Sequence, residues 1–178
     1  MTIHSSHPFP TEDDPVRRLR GRLGGQVSLW TTGSPGGSAS DRAGLTVSSL
    51  MVAGGEPARA IGLVDPDSDL AERLAVGSPV VVQLLAWRHR MLAEAFAGVA
   101  PAPGGPFTTG DFADTPWGPR LVDAGTWLGA RVESIEQRGW SVLVTAAVEE
   151  VSIDDDEAGG GPLLHRRGRY HRLGTDHG

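Results

Sequence analysis

Residues 44–64 read GLTVSSLMVAGGEPARAIGLV, and this stretch gives the clearest evidence about the fold. It contains two apolar runs of strand length, 44–52 and 58–64, with the turn-forming tetrapeptide Gly-Gly-Glu-Pro between them. Short apolar runs bounded by Gly and Pro are typical of β-strands that pair as a hairpin. We therefore predict an antiparallel hairpin in this part of the chain.

More strands and a few helices are predicted on both sides of this hairpin. Apolar runs predict strands at Gln26–Thr32, Pro79–Ala86, Leu121–Glu136, Trp140–Ile153 and Leu163–Leu173. Apolar residues spaced three and four apart predict short helices at Pro15–Gly24, Ser68–Val76 and Arg88–Ala97. Residues 99–118 read as a long loop, which we expect Trp117 to anchor. Because the connections are too short for parallel crossovers, the sequence predicts a mainly β fold, an antiparallel barrel with a few short helices.

Length, charge and composition limit the possible functions. The chain has 178 residues, a formal net charge of −6 and no cysteine. This length fits one domain, which we place at 15–173, between a disordered lead-in at 1–14 and a tail at 174–178. Negative charge argues against general nucleic-acid binding, and no stretch approaches the length of a membrane span. We expect neither nucleic acid nor a membrane as a partner, and a cytoplasmic location.

Three hydroxyl side chains interrupt the apolar run at 44–52. Thr46 and Ser48 share one face of the predicted strand and Ser49 lies on the other, because residues alternate along a strand. Hydroxyls in an apolar strand can hydrogen-bond a ligand, or they can form a polar stripe on a half-exposed strand. The residues alone leave both interpretations open.

A second polar feature is the helix predicted to begin at Ser68. Its hydroxyl and first backbone N–H groups could bind a phosphate. Asp67 and Asp69 would repel that phosphate, so plain helix capping is an equal alternative. Arginines would have to offset these carboxylates, and the candidates are Arg88, Arg90, Arg167 and Arg169. Two of them belong to the run HRRGRYHR at 165–172, which could hold a phosphate or form a solvated edge strand.

Four segments, taken in serial order, resemble the flavin reductase family, whose fold is the FMN-binding split barrel. They are GLTVSSL at 44–50, LVDPDSDLAERL at 63–74, VVVQLLAWRHRMLAEAFAG at 80–98 and GPLLHRRGRYHRL at 161–173. The resemblance implies a split barrel that binds FMN, or FAD, without a covalent bond, forms a homodimer and takes hydride from NAD(P)H. It also implies a partner, a flavin-dependent monooxygenase that receives the reduced flavin.

The resemblance also assigns residues to the cofactor. Hydroxyls and backbone N–H groups of the signature strand would line the flavin, and these residues are Thr46, Val47, Ser48 and Ser49. Ser68 and Arg90 would lie near the phosphate, and Arg169 and Tyr170 match the family's closing Arg-Tyr pair. Trp140 stands where the family often carries a His beside the nicotinamide, and another residue such as His89 or His165 could supply that contact instead. No acid or base side chain is assigned to catalysis, because the cofactor supplies the chemistry.

Two alternative functions stay open. The tryptophan at position 140 favours a flavin-binding module or electron carrier without reductase activity, and a relative using another cofactor, such as heme, is the other alternative. We expect the homodimer to cover the apolar strands Val80–Leu85 and Val142–Val148. No metal site is predicted, because His165 and His171, six apart on one strand, would lie about 20 Å from each other.

Overall fold

The computed structural model describes residues 14–154 and 160–173. The predicted lead-in, apart from Asp14, and the predicted tail lie outside these residues. The strands are β1 (Gly25–Gln26), β2 (Ser28–Thr32), β3 (Ala43–Val47), β4 (Met51–Ala53), β5 (Arg59–Val64), β6 (Pro79–Leu84), β7 (Phe112–Thr115), β8 (Gly118–Leu121), β9 (Trp127–Arg138), β10 (Ser141–Ser152), β11 (Leu163–Arg166) and β12 (Arg169–Arg172). The α-helices are α1 (Pro15–Arg22), α2 (Asp69–Arg73) and α3 (Arg90–Phe96), and short 3-10 turns occur at Ala39–Asp41, Trp87–His89 and Pro106–Thr109.

All strand pairs in the described residues are antiparallel. The largest sheet has seven strands in the order β3-β2-β6-β9-β10-β5-β4, and beside it are a three-stranded sheet, β1-β11-β12, and the small hairpin β7-β8. The long hairpin of β9 and β10, which turns at Gly139 and Trp140, provides the most extensive pairing. This arrangement confirms the predicted mainly β, antiparallel fold with a few short helices.

The run predicted as one strand at 44–52 is two strands with a bend between them. β3 ends at Val47 and pairs with β2, whereas β4 pairs with β5. At the bend, the Ser49 hydroxyl accepts a hydrogen bond from the Leu63 N–H at 2.8 Å and donates one to the Leu63 carbonyl at 3.1 Å. This side chain takes the place of a backbone partner for β5. Ser48 and Ser49 therefore lie outside the strand, and the alternation predicted for them is wrong.

Two hydrophobic cores lie on opposite sides of β2, since Trp30 points into one and Leu29 into the other. The first core fills the barrel, and the second lies beneath α3. β6 is buried on both faces, as predicted, with Val80, Val81 and Val82 at most 1% exposed. A single chain already covers these side chains, so the expectation that a second subunit covers Val80–Leu85 is wrong.

The N-terminal helix α1 places its apolar residues away from the protein. Val16, Leu19 and Leu23 are 62–67% exposed. The helix touches the rest of the chain through its opposite side, where the Gly21 carbonyl accepts a hydrogen bond from the Arg167 N–H at 2.6 Å. The apolar stripe that the spacing predicts therefore exists, but it faces solvent.

The C-terminal segment predicted as one strand is a hairpin. β11 and β12 pair antiparallel across a turn in which Arg167 and Gly168 both have positive φ. His165 lies opposite Tyr170, and His171 lies on the neighbouring strand one pair away. The 20 Å separation expected for the two histidines is therefore wrong, although the described residues contain no group of three or more His, Asp or Glu side chains placed to hold a metal ion.

Trp117 anchors the end of the predicted long loop, as expected, while Phe107 and Phe112 pack the rest of it against the second core. The Trp117 ring packs on Gly129, where a Cβ atom would lie only 2.2 Å from the indole, and its Nε1–H donates to Glu149 at 2.6 Å. The loop also contains a short 3-10 turn and the β7–β8 hairpin. Among the helices in the described residues, none is both long enough and apolar enough to cross a membrane.

Candidate functional site

The residues assigned to the flavin fall on two sides of Ser48, an exposed residue at the bend after β3. We call the side formed by α3, β11 and β12 the hairpin side. We call the side formed by the end of β5, the start of α2 and the β9–β10 turn the barrel side. The polar groups on the two sides are used differently.

On the hairpin side, Thr46 links β3 to α3. Its hydroxyl donates a hydrogen bond to the Ala93 carbonyl at 2.6 Å. Two residues earlier, Gly44 provides the space for Phe96, since a Cβ atom at Gly44 would lie 2.7 Å from the aromatic ring. Thr46 thus faces α3, while Val47 points into the barrel core and is 3% exposed. Only its backbone could contact a cofactor.

Ser48 is close to the C-terminal hairpin through Gly25. A Cβ atom built on Gly25 would lie 2.6 Å from the Ser48 carbonyl oxygen, so this carbonyl occupies the place of a Gly25 side chain. Gly25 is the direct cross-strand partner of His165, and His165 is the partner of Tyr170. Side chains of directly paired residues point to the same face of a sheet. Ser48, His165 and Tyr170 therefore lie on one face of the three-stranded sheet.

Tyr170 is half-buried on that face. Its ring packs against the second core and meets the His165 ring edge-to-face, with centroids 5.6 Å apart. Burial raises the pKa of Tyr170, and the nearby carboxylate of Glu94 raises it further. The phenol is therefore neutral and can donate a hydrogen bond at physiological pH.

The two arginines assigned to the site lie on different elements, and one of them points away from Tyr170. Arg169 is exposed and pairs with Arg166, so it points to the opposite face of the C-terminal hairpin. Arg90 is exposed at the first position of α3, and its guanidinium lies 5.2 Å from the centre of the Trp87 ring. Of the two, only Arg90 is on the helix that also contacts Thr46.

On the barrel side, the hydroxyls already serve the chain itself. Ser49 is bonded to Leu63, and Ser68 is the N-cap of α2. The Ser68 hydroxyl donates to the Asp65 carbonyl at 2.6 Å and accepts from the Ala71 N–H at 3.2 Å. The geometry thus favours the capping alternative for Ser68. Trp140 lies at the β9–β10 turn and is 59% exposed.

His89 is a buried histidine near the hairpin side, and its ring nitrogens are used within the chain. His89 is 6% exposed; its Nδ1 accepts the Ala86 N–H at 3.0 Å, so its proton is on Nε2, which lies 3.1 Å from an Asp123 carboxylate oxygen. Arg88 also contacts that oxygen at 3.1 Å. Burial lowers the pKa of His89, and the hydrogen bond with Asp123 opposes this only in part. Asp123 is far along the chain, so no local sequence pattern identifies the pair.

The sequence matches the family described as flavin reductase like domain over residues 20–174. This covers most of the chain, and the protein belongs to the flavin reductase family. The predicted family and the split-barrel fold are thereby confirmed. A search of curated proteins finds no match.

Solved structures of flavin reductases share the fold at low sequence identity. Flavin reductase PheA2 is 22% identical with a TM-score of 0.77, over 93% of this chain and 100% of that one. The NADH:FAD oxidoreductase SgcE6 of Streptomyces globisporus C-1027, solved with NAD and FAD fragments, is 20% identical with a TM-score of 0.77, over 92% and 93%. The styrene monooxygenase flavin reductase of Pseudomonas putida S12 is 22% identical with a TM-score of 0.75, over 91% and 99%.

Proposed function

We propose that this protein is an NAD(P)H-dependent flavin reductase that binds FMN, or FAD, without a covalent bond and passes reduced flavin to a flavin-dependent monooxygenase. The observation that carries the proposal is the row formed by Ser48, His165 and Tyr170, in which an exposed serine, placed by its backbone carbonyl, and two half-buried polar rings share one face. A flat cofactor with amide-like edges needs hydrogen-bonding groups of this kind beside an apolar surface.

The fit of a flavin to this row rests on its chemistry. Tyr170 offers a neutral O–H, Ser48 offers a hydroxyl, and backbone groups at the bend after Val47 are available because the strand ends there. Arg90 supplies a positive charge on the adjoining helix, suited to a phosphate. The bound flavin would supply the hydride-accepting chemistry. The chain's own residues would orient the ring, limit access of water and hold the nicotinamide against it.

A second candidate function is a flavin-binding module without reductase activity. Trp140 favours it, because an indole can donate one hydrogen bond and accept none, whereas an imidazole can do both. The two candidates share the same flavin site and differ only in how fast a nicotinamide reduces the flavin.

We also propose that the protein acts as a homodimer in the cytoplasm, where reduced nicotinamides are available. The barrel side supports the dimer, because edge strand β4 carries Met51 and Val52 at 58% and 60% exposure, and Leu63 beside it is 43% exposed. An apolar sheet edge of this kind is a surface that a second subunit could cover.

The visible spectrum of the purified protein tests the function directly. FMN and FAD are added separately, free flavin is removed, and the spectrum is recorded without oxygen before and after NADH or NADPH. A flavin spectrum that is bleached by a nicotinamide within seconds is the expected result. Bound flavin that stays oxidised identifies the binding module. A protein that binds neither FMN nor FAD contradicts both functions.

A further inference from the structure

His165 occupies the centre of the row on the hairpin side. Its neighbours across the sheet are Gly25 on one strand and Tyr170 on the other. Because Gly25 has no side chain and the Ser48 carbonyl fills that place, the imidazole lies between Ser48 and Tyr170 without an intervening side chain. The residue is half-buried, so part of its ring faces solvent.

The imidazole has hydrogen-bonding capacity that the chain does not use. Within residues 14–154 and 160–173, neither ring nitrogen of His165 forms a hydrogen bond, and its described partner is the Tyr170 ring. Burial lowers the pKa of His165, and the nearby His171 lowers it further. The ring is therefore neutral near pH 7 and offers one N–H donor and one nitrogen acceptor.

His89, the buried histidine near this side, has no such capacity. Its Nδ1 is bonded to the Ala86 N–H, its Nε2 faces Asp123, and it is 6% exposed. A ligand could reach it only by breaking these bonds. His165 is thus the imidazole on the face shared with Ser48 and Tyr170 that remains open to a ligand.

We infer that His165 is a ligand-contacting residue of the reductase site, whose imidazole hydrogen-bonds an amide-type edge of the bound redox pair. Such an edge, a carbonyl beside an N–H, is present on the flavin ring system and on the nicotinamide carboxamide. This inference rests on the proposed function. It places the imidazole on β11, on the hairpin side, whereas Trp140 is on the barrel side.

The test compares three variants with the wild type. His165→Phe keeps an aromatic ring against Tyr170 and removes both nitrogens, and His165→Gln restores a donor and an acceptor. His171→Gln is the matched control, because His171 is exposed on the opposite face of the same hairpin. Flavin affinity is measured by fluorescence titration with FMN, and the rate of flavin reduction is measured by stopped flow over a range of NADH concentrations.

We expect His165→Phe to weaken one of these two interactions by about fivefold or more, with His165→Gln recovering part of the loss and His171→Gln behaving as wild type. A raised Kd for FMN identifies the flavin edge as the partner. An unchanged Kd for FMN with a raised half-saturating NADH concentration, or a lower limiting rate, identifies the carboxamide.

The inference is overturned if His165→Phe keeps both wild-type values, or if His165→Gln fails to recover any loss although its melting temperature equals that of the wild type. The FMN titration and stopped-flow measurements on the wild type separate failure of this inference from failure of the proposed function. A wild type that binds and reduces FMN supports the function whatever His165 does, whereas a wild type that binds no flavin overturns both.

Discussion

The polar side chains on the two sides of Ser48 have different kinds of partner. On the barrel side, the Ser49 hydroxyl is bonded to the backbone of Leu63, and the Ser68 hydroxyl is bonded to the Asp65 carbonyl and the Ala71 N–H. On the hairpin side, Tyr170 and His165 are half-buried and pack against each other through their rings. Ser hydroxyls close to a chain bend or a helix start compete well for backbone groups, so these residue types are poor indicators of a ligand there.

Gly25→Ala is expected to have the largest effect, because it disturbs the contact between Ser48 and the three-stranded sheet. The added Cβ atom would lie 2.6 Å from the Ser48 carbonyl oxygen, so the backbone of one strand has to move. Overpacking of this kind costs about 1–3 kcal/mol of stability. We expect a lower urea midpoint, and FMN binding weakened by about tenfold, the equivalent of 1.4 kcal/mol.

Gly24→Ala is the matched control for that change. A Cβ atom at Gly24 would meet only the Arg166 side chain, at an ordinary contact distance of 3.7 Å. Both substitutions remove one glycine from the unfolded chain, so their difference isolates the contact with Ser48. Equal FMN affinity in the two variants would show that Ser48 is not part of the proposed flavin site.

The two serines at the bend are expected to separate stability from binding. Ser49→Ala removes two hydrogen bonds with Leu63 and should cost about 1–2 kcal/mol of unfolding free energy. Ser48→Ala should leave stability nearly unchanged, because Ser48 is exposed, and should weaken FMN binding severalfold. Urea unfolding and fluorescence titration of both variants give the four values needed. The opposite pattern, a stability loss at 48 and a pure binding loss at 49, would contradict the division between the two sides.

Trp140→His is expected to change the rate of flavin reduction by NADH and to leave the affinity for flavin unchanged. An imidazole at the β9–β10 turn would supply the acceptor that the indole lacks, so flavin reduction by NADH should become faster by about threefold or more. Stopped-flow absorbance measures the rate, and the Kd for FMN serves as the internal control. A slower variant would mean that the exposed indole itself supports the nicotinamide.

His89 is expected to give the smallest effect, a change in the pH dependence of stability. Burial lowers the pKa of His89 below its ordinary value of 6.5, so the unfolded chain binds a proton more readily than the folded protein. Its contribution to stability is therefore complete above pH 6.5 and is lost as the pH falls below that value. Melting temperatures between pH 8 and about pH 5 measure the effect, with pH 5 lying below the ordinary His range.

His89→Gln is the comparison for this measurement. An amide can accept the Ala86 N–H and donate to Asp123, so its fold should be kept while its titration is removed. We expect a shallower decline of the melting temperature for the variant than for the wild type. Parallel declines would assign the acid sensitivity to other groups.

Local sequence patterns predicted the elements well where one face of an element is buried. The apolar spacing of Leu70 and Leu74 predicted α2 and its buried side, and the continuous run at Pro79–Leu84 predicted the central strand β6. The same patterns failed at 121–136, where β9 begins only at Trp127, and at 44–52 and 163–173, where each predicted strand is interrupted. Ser49 and Arg167 form those interruptions, and the partners that stabilise them, Leu63 and Gly21, are remote in sequence.

The candidate site could be predicted only in part, for the same reason. The resemblance pointed to Ser48 and Tyr170, which the fold brings to one face, and also to Arg169, which strand alternation places on the other. His165 was one of two histidines that could replace the family's His, and the sequence could not choose between them, because the place of His165 depends on the register of β11 against β1. Trp117 was predictable as an anchor, but not the contact with Gly129 that holds it.

The sequence by itself determined the class of the fold and the family, because the apolar periodicity of strands and helices and the serial order of the family's segments are properties of the chain alone. Only the tertiary structure decided which polar groups stay available for a ligand. A hydroxyl or an imidazole is available only when no backbone group of another element reaches it, and that depends on strand register and on bends. Ser49, Ser68 and His89 have such partners, whereas Ser48, Tyr170 and His165 meet on one face through a glycine.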